Sequence, residues 1–207
     1  MPALEIEVKF FLADRDAIEK RIQELPAEFC HAEDEKNIRY ETPDCALFRR
    51  KQLLRLRRAR DITLTFKSEP PEQLTDCKVH REYEVCVDDF AMMQNILESV
   101  GFHPEQIYEK HRSSYRLEEV VLCLDTMPYG NFLELEGPEE SIREVTGNLG
   151  LEWRDRIVAN YLEIFEQIKT ALGLSFSDVT FANFAQISRA DMEPQIRNFE
   201  AGRSSSP

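Results

Sequence analysis

The side chains best suited to chemistry in this chain stand at alternate positions. Near the start, Glu5, Glu7 and Lys9 are separated by Ile6 and Val8. A β-strand sends successive side chains to opposite faces, so these three charges project together while the apolar residues project the other way. The same alternation returns at Arg55/Arg57, Lys67, Glu82/Glu84, Lys110/Arg112 and Glu134/Glu136. Arginine forks and lysine ammoniums hold phosphoryl oxygens. Carboxylates are hard oxygen ligands for Mg²⁺ or Mn²⁺, which bridge to phosphates and offset their charge. Both sets together suit a polyphosphate that binds with divalent metal.

The elements that must position these groups are mostly strands. The opening strand covers Glu5–Phe11, and helical spacing of Ala17, Ile18, Ile22 and Leu25 predicts a helix over Ala13–Leu25, closed by Pro26. A strand is expected over Glu28–Thr42, a hairpin over Leu53–Lys67 turning near Asp61, and a further strand over Val79–Val87. Ser68–Asp76, with Pro70-Pro71, reads as an exposed loop. Phe90–Val100 is an amphipathic helix ended by Gly101. Strands follow over Ile107–Leu117, Val120–Thr126 and Phe132–Glu136, with the tight turn between the last two placed at Gly130-Asn131. Ser141–Asn148 and Val158–Leu172 read as helices. About eight strands, mostly antiparallel, are thus interleaved with a few helices. Two arrangements fit: a flat sheet with its charges in water, or a closed barrel with the helices outside and the charges lining a lumen. The clustering of like signs on single strands favours the lumen.

Bulk properties narrow the function further. A chain of 207 residues fits one domain with an appendage, and 42% hydrophobic with 31% charged residues is a globular balance. No apolar run approaches the ~20 residues of a membrane span. No signal-peptide layout opens the chain, so the cytoplasm is the expected compartment. The five scattered cysteines contain no C-x-x-C pair, and the four histidines show no metal-ligand spacing. A net charge of −13 argues against general nucleic-acid affinity.

Glu5-x-Glu7-x-Lys9 resembles the signature of the CYTH, or triphosphate tunnel metalloenzyme, family. The resemblance continues in order through Tyr40–Asp44, Leu54–Arg57, Leu64–Lys67, Arg81–Glu84, Glu109–Ser113, Leu124-Asp125 and Gly130–Glu136, covering roughly residues 3 to 170. It implies an α+β fold: a closed antiparallel barrel of about eight strands forming a tunnel, with helices packed outside. The tunnel domain would span residues 1–172. An extension, 173–207, would follow and be disordered at its end. The resemblance also implies that Glu5, Glu7, Asp125, Glu134 and Glu136 hold metal, Mg²⁺ or Mn²⁺ and two ions rather than one, with Glu82 in support. Lys9, Arg55, Arg57, Lys67, Lys110 and Arg112 would clamp the triphosphate, and of these Lys9, Arg57, Lys110 and Arg112 would act in catalysis.

Within the family, Gly101–Pro104 with Glu109–Tyr115 looks closest to the class IV adenylyl cyclase branch. That branch turns ATP into cyclic AMP and pyrophosphate. The alternative is a triphosphatase acting on tripolyphosphate, thiamine triphosphate or a nucleotide, and a third reading is a polyphosphate-binding module without turnover. The partner implied is a small triphosphate, with no nucleic acid and no membrane; a homodimer is compatible. Blander readings stand beside these. Arg58 and Arg60 read as surface charges, Glu84 as a rim charge as readily as a lumen group, His103 and His111 as surface or packing residues. Tyr161 falls in a helix resembling the family's closing helix, with no chemistry assigned.

Overall fold

The structure, a computed structural model, describes residues 3–69 and 77–202. The expected loop through Pro70-Pro71 and the last residues, 203–207, lie outside the described residues. Nine strands are present among the described residues, in the order β5-β4-β3-β2-β6-β7-β8-β1-β9, and an additional β5–β1 pairing closes eight of them into a ring. They are β1 (Ala3–Leu12), β2 (Glu28–Glu41), β3 (Gln52–Arg58), β4 (Ile62–Ser68), β5 (Lys78–Cys86), β6 (His103–Leu117), β7 (Val120–Met127), β8 (Gly130–Glu136) and β9 (Arg156–Ile157). All neighbours in the ring are antiparallel. β1 joins the ring's two ends: Glu7 is opposite Lys78 of β5 and Glu136 of β8.

Helices cover the outside of this ring. Alternation sends Val8, Phe10, Leu122, Leu124, Leu133 and Leu135 outward into a cluster closed by Ile18 and Ile22 of α1 (Arg15–Glu24) and by Ile142 and Val145 of α4 (Glu139–Asn148). The α1 start is fixed by Asp14, whose carboxylate accepts from the Ala17 amide. On the opposite side Ile38, Tyr40, Leu54 and Leu56 pack with Leu97 of α3 (Phe90–Ser99) and Leu47 of α2 (Ala46–Arg49). Glu41, 1% exposed, receives the Leu47 and Phe48 amides of that short helix, so its charge is consumed structurally. Each fully buried aliphatic or aromatic side chain contributes about 1.5–3 kcal/mol.

A third cluster closes one end of the ring. It joins Phe132, Met127 and Tyr108 to Tyr161, Ile164, Phe165 and Ile168 of α5 (Tyr161–Leu172). α5 begins at Tyr161, three residues later than the expected boundary at Val158, because Asn160 caps it and forms a capping box with Glu163. Beyond Gly173 the chain lies along the barrel. Val179 exchanges backbone hydrogen bonds with β6, taking the Glu109 amide at 2.9 Å and donating to the Ile107 carbonyl at 2.8 Å. α6 (Phe181–Phe184) and α7 (Arg189–Arg197) then bury Phe184, Met192 and Ile196 in the same cluster.

Boundary differences have local causes. The β7–β8 reversal falls at Pro128-Tyr129, because Met127 pairs with Gly130 and Asn131 already pairs with Thr126. Gly130 is there for space: a Cβ would meet Ile196 Cδ1 and a Phe11 ring carbon at 3.1 Å. α4 starts at Glu139 rather than Ser141, with Pro138 at its cap and two glutamates in the first turn. β6 begins at His103, four residues early, since pairing with β2 runs on past a bulge at Arg39/Tyr40.

Candidate active site

The charged faces of β1–β8 point into the ring, and the site is a set of interlocked ion pairs. On the β1–β8–β5 wall, Lys67 contacts Glu5 and stands 2.9 Å from Glu82, while Lys78 donates to Glu7 at 2.8 Å. Lys9, 1% exposed, donates to the Ala159 carbonyl at 3.0 Å and lies 3.3 Å from Glu134. Glu136 stands exposed at the rim, opposite Glu7. Burial pushes the Glu5 carboxyl up to about 8 against the pull of Lys67, and its hydrogen bond with Glu82 adds to the rise. Glu7 moves the other way: its burial is outweighed by Lys78 and Lys9.

The innermost group is Asp125, with no exposed surface. It receives Lys110 Nζ at 3.0 Å, Arg112 Nε at 2.6 Å and Nη2 at 2.5 Å, and the Tyr161 hydroxyl at 2.9 Å. Arg112 also contacts Glu134. Asp125, expected among the metal-side carboxylates, thus lies among cationic and hydroxyl donors. Its two oxygens accept from all of these donors, which holds the Lys110 and Arg112 side chains in place.

On the β2–β3–β6 wall, Glu35 lies within 3.7–3.8 Å of Lys110, Arg112 and Arg57. Its Oε2 accepts from Asn37, and its Oε1 is buried without a hydrogen bond. Burial would raise its carboxyl, but Lys110, Arg112 and Arg57 pull it down to about 2. Arg55 donates to Tyr108 at 3.4 Å and Thr65 at 3.2 Å, and Arg57 to Thr63 at 3.2 Å. Glu84, which sequence leaves open between rim and lumen, takes Thr65 Oγ1 at 2.7 Å and Arg57 at 3.3 Å.

The structure therefore brings Glu5, Glu7, Lys9, Arg55, Arg57, Lys67, Glu82, Lys110, Arg112, Asp125 and Glu134 to one lumen, with Glu136 at its edge. It adds Glu35, Lys78 and Tyr161. Glu35 shares a face with Glu33 and Asn37, a period-two signal masked by the mixed charges of Asp34-Glu35-Lys36. Lys78 shares a face with His80 and Glu82, one residue before the start at Val79 that its sequence pattern predicts for β5. Tyr161 carried no local signal; only the packing of α5 brings its ring to Lys9 (4.9 Å) and Lys110 (5.6 Å). Arg58 and His111 lie outside the lumen, over Phe90 and stacked on Phe181.

Among the described residues no three histidine, cysteine, aspartate or glutamate side chains converge closely enough to cage a metal ion as they stand. The chemistry of the carboxylate wall nevertheless fits a hard divalent cation. Burial, with smaller contributions from Glu82 and Glu7, raises the Glu5 carboxyl, and a divalent cation drawn there would favour its ionised form.

A CYTH domain family model matches residues 3–148. Among solved structures, a Vibrio parahaemolyticus protein provisionally named an adenylate cyclase is 21% identical with a TM-score of 0.71, covering 80% of this chain and 99% of its own. The PH1012 protein of Pyrococcus horikoshii is 26% identical with a TM-score of 0.66, covering 77% and 98%. A Hippeastrum protein provisionally named an adenylyl cyclase, its structure described as revealing a dominant triphosphatase activity, is 17% identical with a TM-score of 0.59, covering 80% and 95%. A search of curated protein sequences finds no match.

Proposed function

This chain belongs to the CYTH domain family, and we propose that it is a metal-dependent enzyme that cleaves a phosphoanhydride bond of a linear triphosphate held in the lumen. The observation that carries this reading is the convergence of Lys9, Lys110 and Arg112, all nearly buried, around Asp125 and Glu134. Buried cations in a water-poor space are well suited to phosphoryl oxygens. Phosphoryl transfer depends chiefly on positioning and on stabilising charge.

On this reading Arg55, Arg57, Lys67, Lys110, Arg112 and Lys9 take the non-bridging oxygens. Asp125 keeps Lys110 and Arg112 aimed. Glu5, Glu7 and Glu134, with Glu136 at the rim and Glu82 in support, would hold Mg²⁺ or Mn²⁺, which would neutralise phosphate charge. The cations and carboxylates of the lumen already balance each other in ion pairs, so a triphosphate entering alone would leave the carboxylates facing its charge. Glu35, whose Oε1 accepts no hydrogen bond, is placed to orient a water. Held at about 2, it orients that water rather than taking its proton.

Hydrolysis needs only such phosphate- and metal-directed groups, and they dominate the described lumen. Cyclisation of ATP is the second reading, favoured by the name of the Vibrio parahaemolyticus neighbour. The run Gly101–Pro104 lies where α3 meets β6, and of Glu109–Tyr115 it is Lys110, Arg112 and Ser114 that share the lumen face. Product identification decides between them. Protein supplied with Mn²⁺ or Mg²⁺ and then ATP, tripolyphosphate or thiamine triphosphate should release orthophosphate. Cyclic AMP with pyrophosphate would establish the cyclase instead, and no turnover of any of the three would reduce the protein to a binding module.

A further inference from the structure

One lumen-facing side chain of β5 has no part in the triphosphate clamp. His80 stands between Lys78 and Glu82 on the inner face of that strand, directly opposite Glu5 of β1, and Glu7 is the next inward residue along β1. Glu5, Glu7 and Glu82, the carboxylates placed at the metal, thus surround it on two adjacent strands. Directly paired residues of antiparallel strands have Cβ atoms about 4.5–5.5 Å apart, within reach of one ion. The lysines beside it are already engaged: Lys78 donates to Glu7, and Lys67 is held between Glu5 and Glu82. The Nδ1 atom of His80 is buried and has no hydrogen-bond partner among the described residues. Buried polar atoms are nearly always paired, so one left open inside a charged lumen marks a place for an ion or a ligand group.

We propose that His80 is a nitrogen ligand to a divalent ion held by Glu5 and Glu7, and that it gives the site a preference for a first-row transition ion such as Mn²⁺ over Mg²⁺. The inference rests on the metal-dependent triphosphate reading above. Neutral imidazole is a common ligand of transition ions, whereas Mg²⁺ takes hard oxygen ligands. A wall of carboxylates alone would discriminate little between Mg²⁺ and Mn²⁺, and one nitrogen donor separates them. Ligand spacing along the sequence gives no sign of this, because the groups around His80 come from β1 as well as β5.

The test is electron spin-echo spectroscopy of Mn²⁺ bound together with a tripolyphosphate analogue bridged by methylene at both anhydride positions. That analogue resists cleavage and contains no nitrogen. The parent and His80→Asn are compared, and the Mn²⁺ and Mg²⁺ affinities of both are measured by titration calorimetry with the same analogue. The parent should show modulation from a coordinated nitrogen. In His80→Asn that modulation should vanish while Mn²⁺ still binds, with its preference over Mg²⁺ reduced about tenfold. If the asparagine variant does not fold, His80→Gln takes its place, and the parent spectrum is decisive by itself. Bound Mn²⁺ without nitrogen modulation in the parent, or modulation that persists in the variant, overturns the proposal and leaves the triphosphate reading standing. If neither Mn²⁺ nor the analogue binds, both fall.

Discussion

Asp125 and Glu5 show how differently two carboxyls can be used within one lumen. Asp125 is saturated by Lys110, Arg112 and Tyr161, so removing its charge strands buried cations. Asp125→Asn should destabilise the fold by about 3–5 kcal/mol, read as a lower urea midpoint. Glu5 is held up to about 8 from an ordinary 4.5 by burial. A raised carboxyl stabilises the fold fully below 4.5, and that contribution is lost as pH rises through 8. In EDTA, Glu5→Gln should therefore unfold at higher urea than the parent at pH 8, with the two converging near pH 4.5. Equal midpoints at pH 8 would show that the carboxyl is not strained there. Alternation made these charged faces readable, because a strand's period of two needs no tertiary knowledge. The partner of each charge was not readable: Asp125 meets Tyr161 across 36 residues, a contact set by packing alone.

At the level of elements, the ends of strands were harder to place than their faces. Gly130 looks like a turn glycine, yet it serves close packing against Ile196 and Phe11. Gly137, between β8 and α4, has the opposite character. Its φ is +152°, and a Cβ would lie 2.8 Å from the Glu119 carbonyl oxygen. Gly137→Ala should cost on the order of 1–3 kcal/mol in urea unfolding. In the segment after Gly173, Phe176, Val179, Phe181 and Phe184 are the residues that sequence offers for docking a short helix or loop onto the body, but not the place where it docks. Its docking depends on a stretch of β6 that β7 leaves unpaired, since β7 pairing stops at His111 while β6 starts at His103. Phe184→Ala, at a site 4% exposed, should lower stability by about 3–5 kcal/mol. A change near zero would mean that the segment is not part of the cooperative core.

For the whole molecule, an acidic chain of net charge −13 offers an anion a ring of cations screened from the outer surface by the barrel wall. The ring could be inferred from complementary strand faces, whereas the packing of α5 with the C-terminal segment over one end of it depends on contacts remote in sequence. The carboxylates paired with those cations make metal the deciding variable. The affinity for tripolyphosphate, measured by titration calorimetry in Mn²⁺ and again in EDTA, tests this most directly. Tight binding in Mn²⁺ that weakens strongly in EDTA is the result this account predicts. Equal affinity in both conditions, or no binding in either, would contradict it.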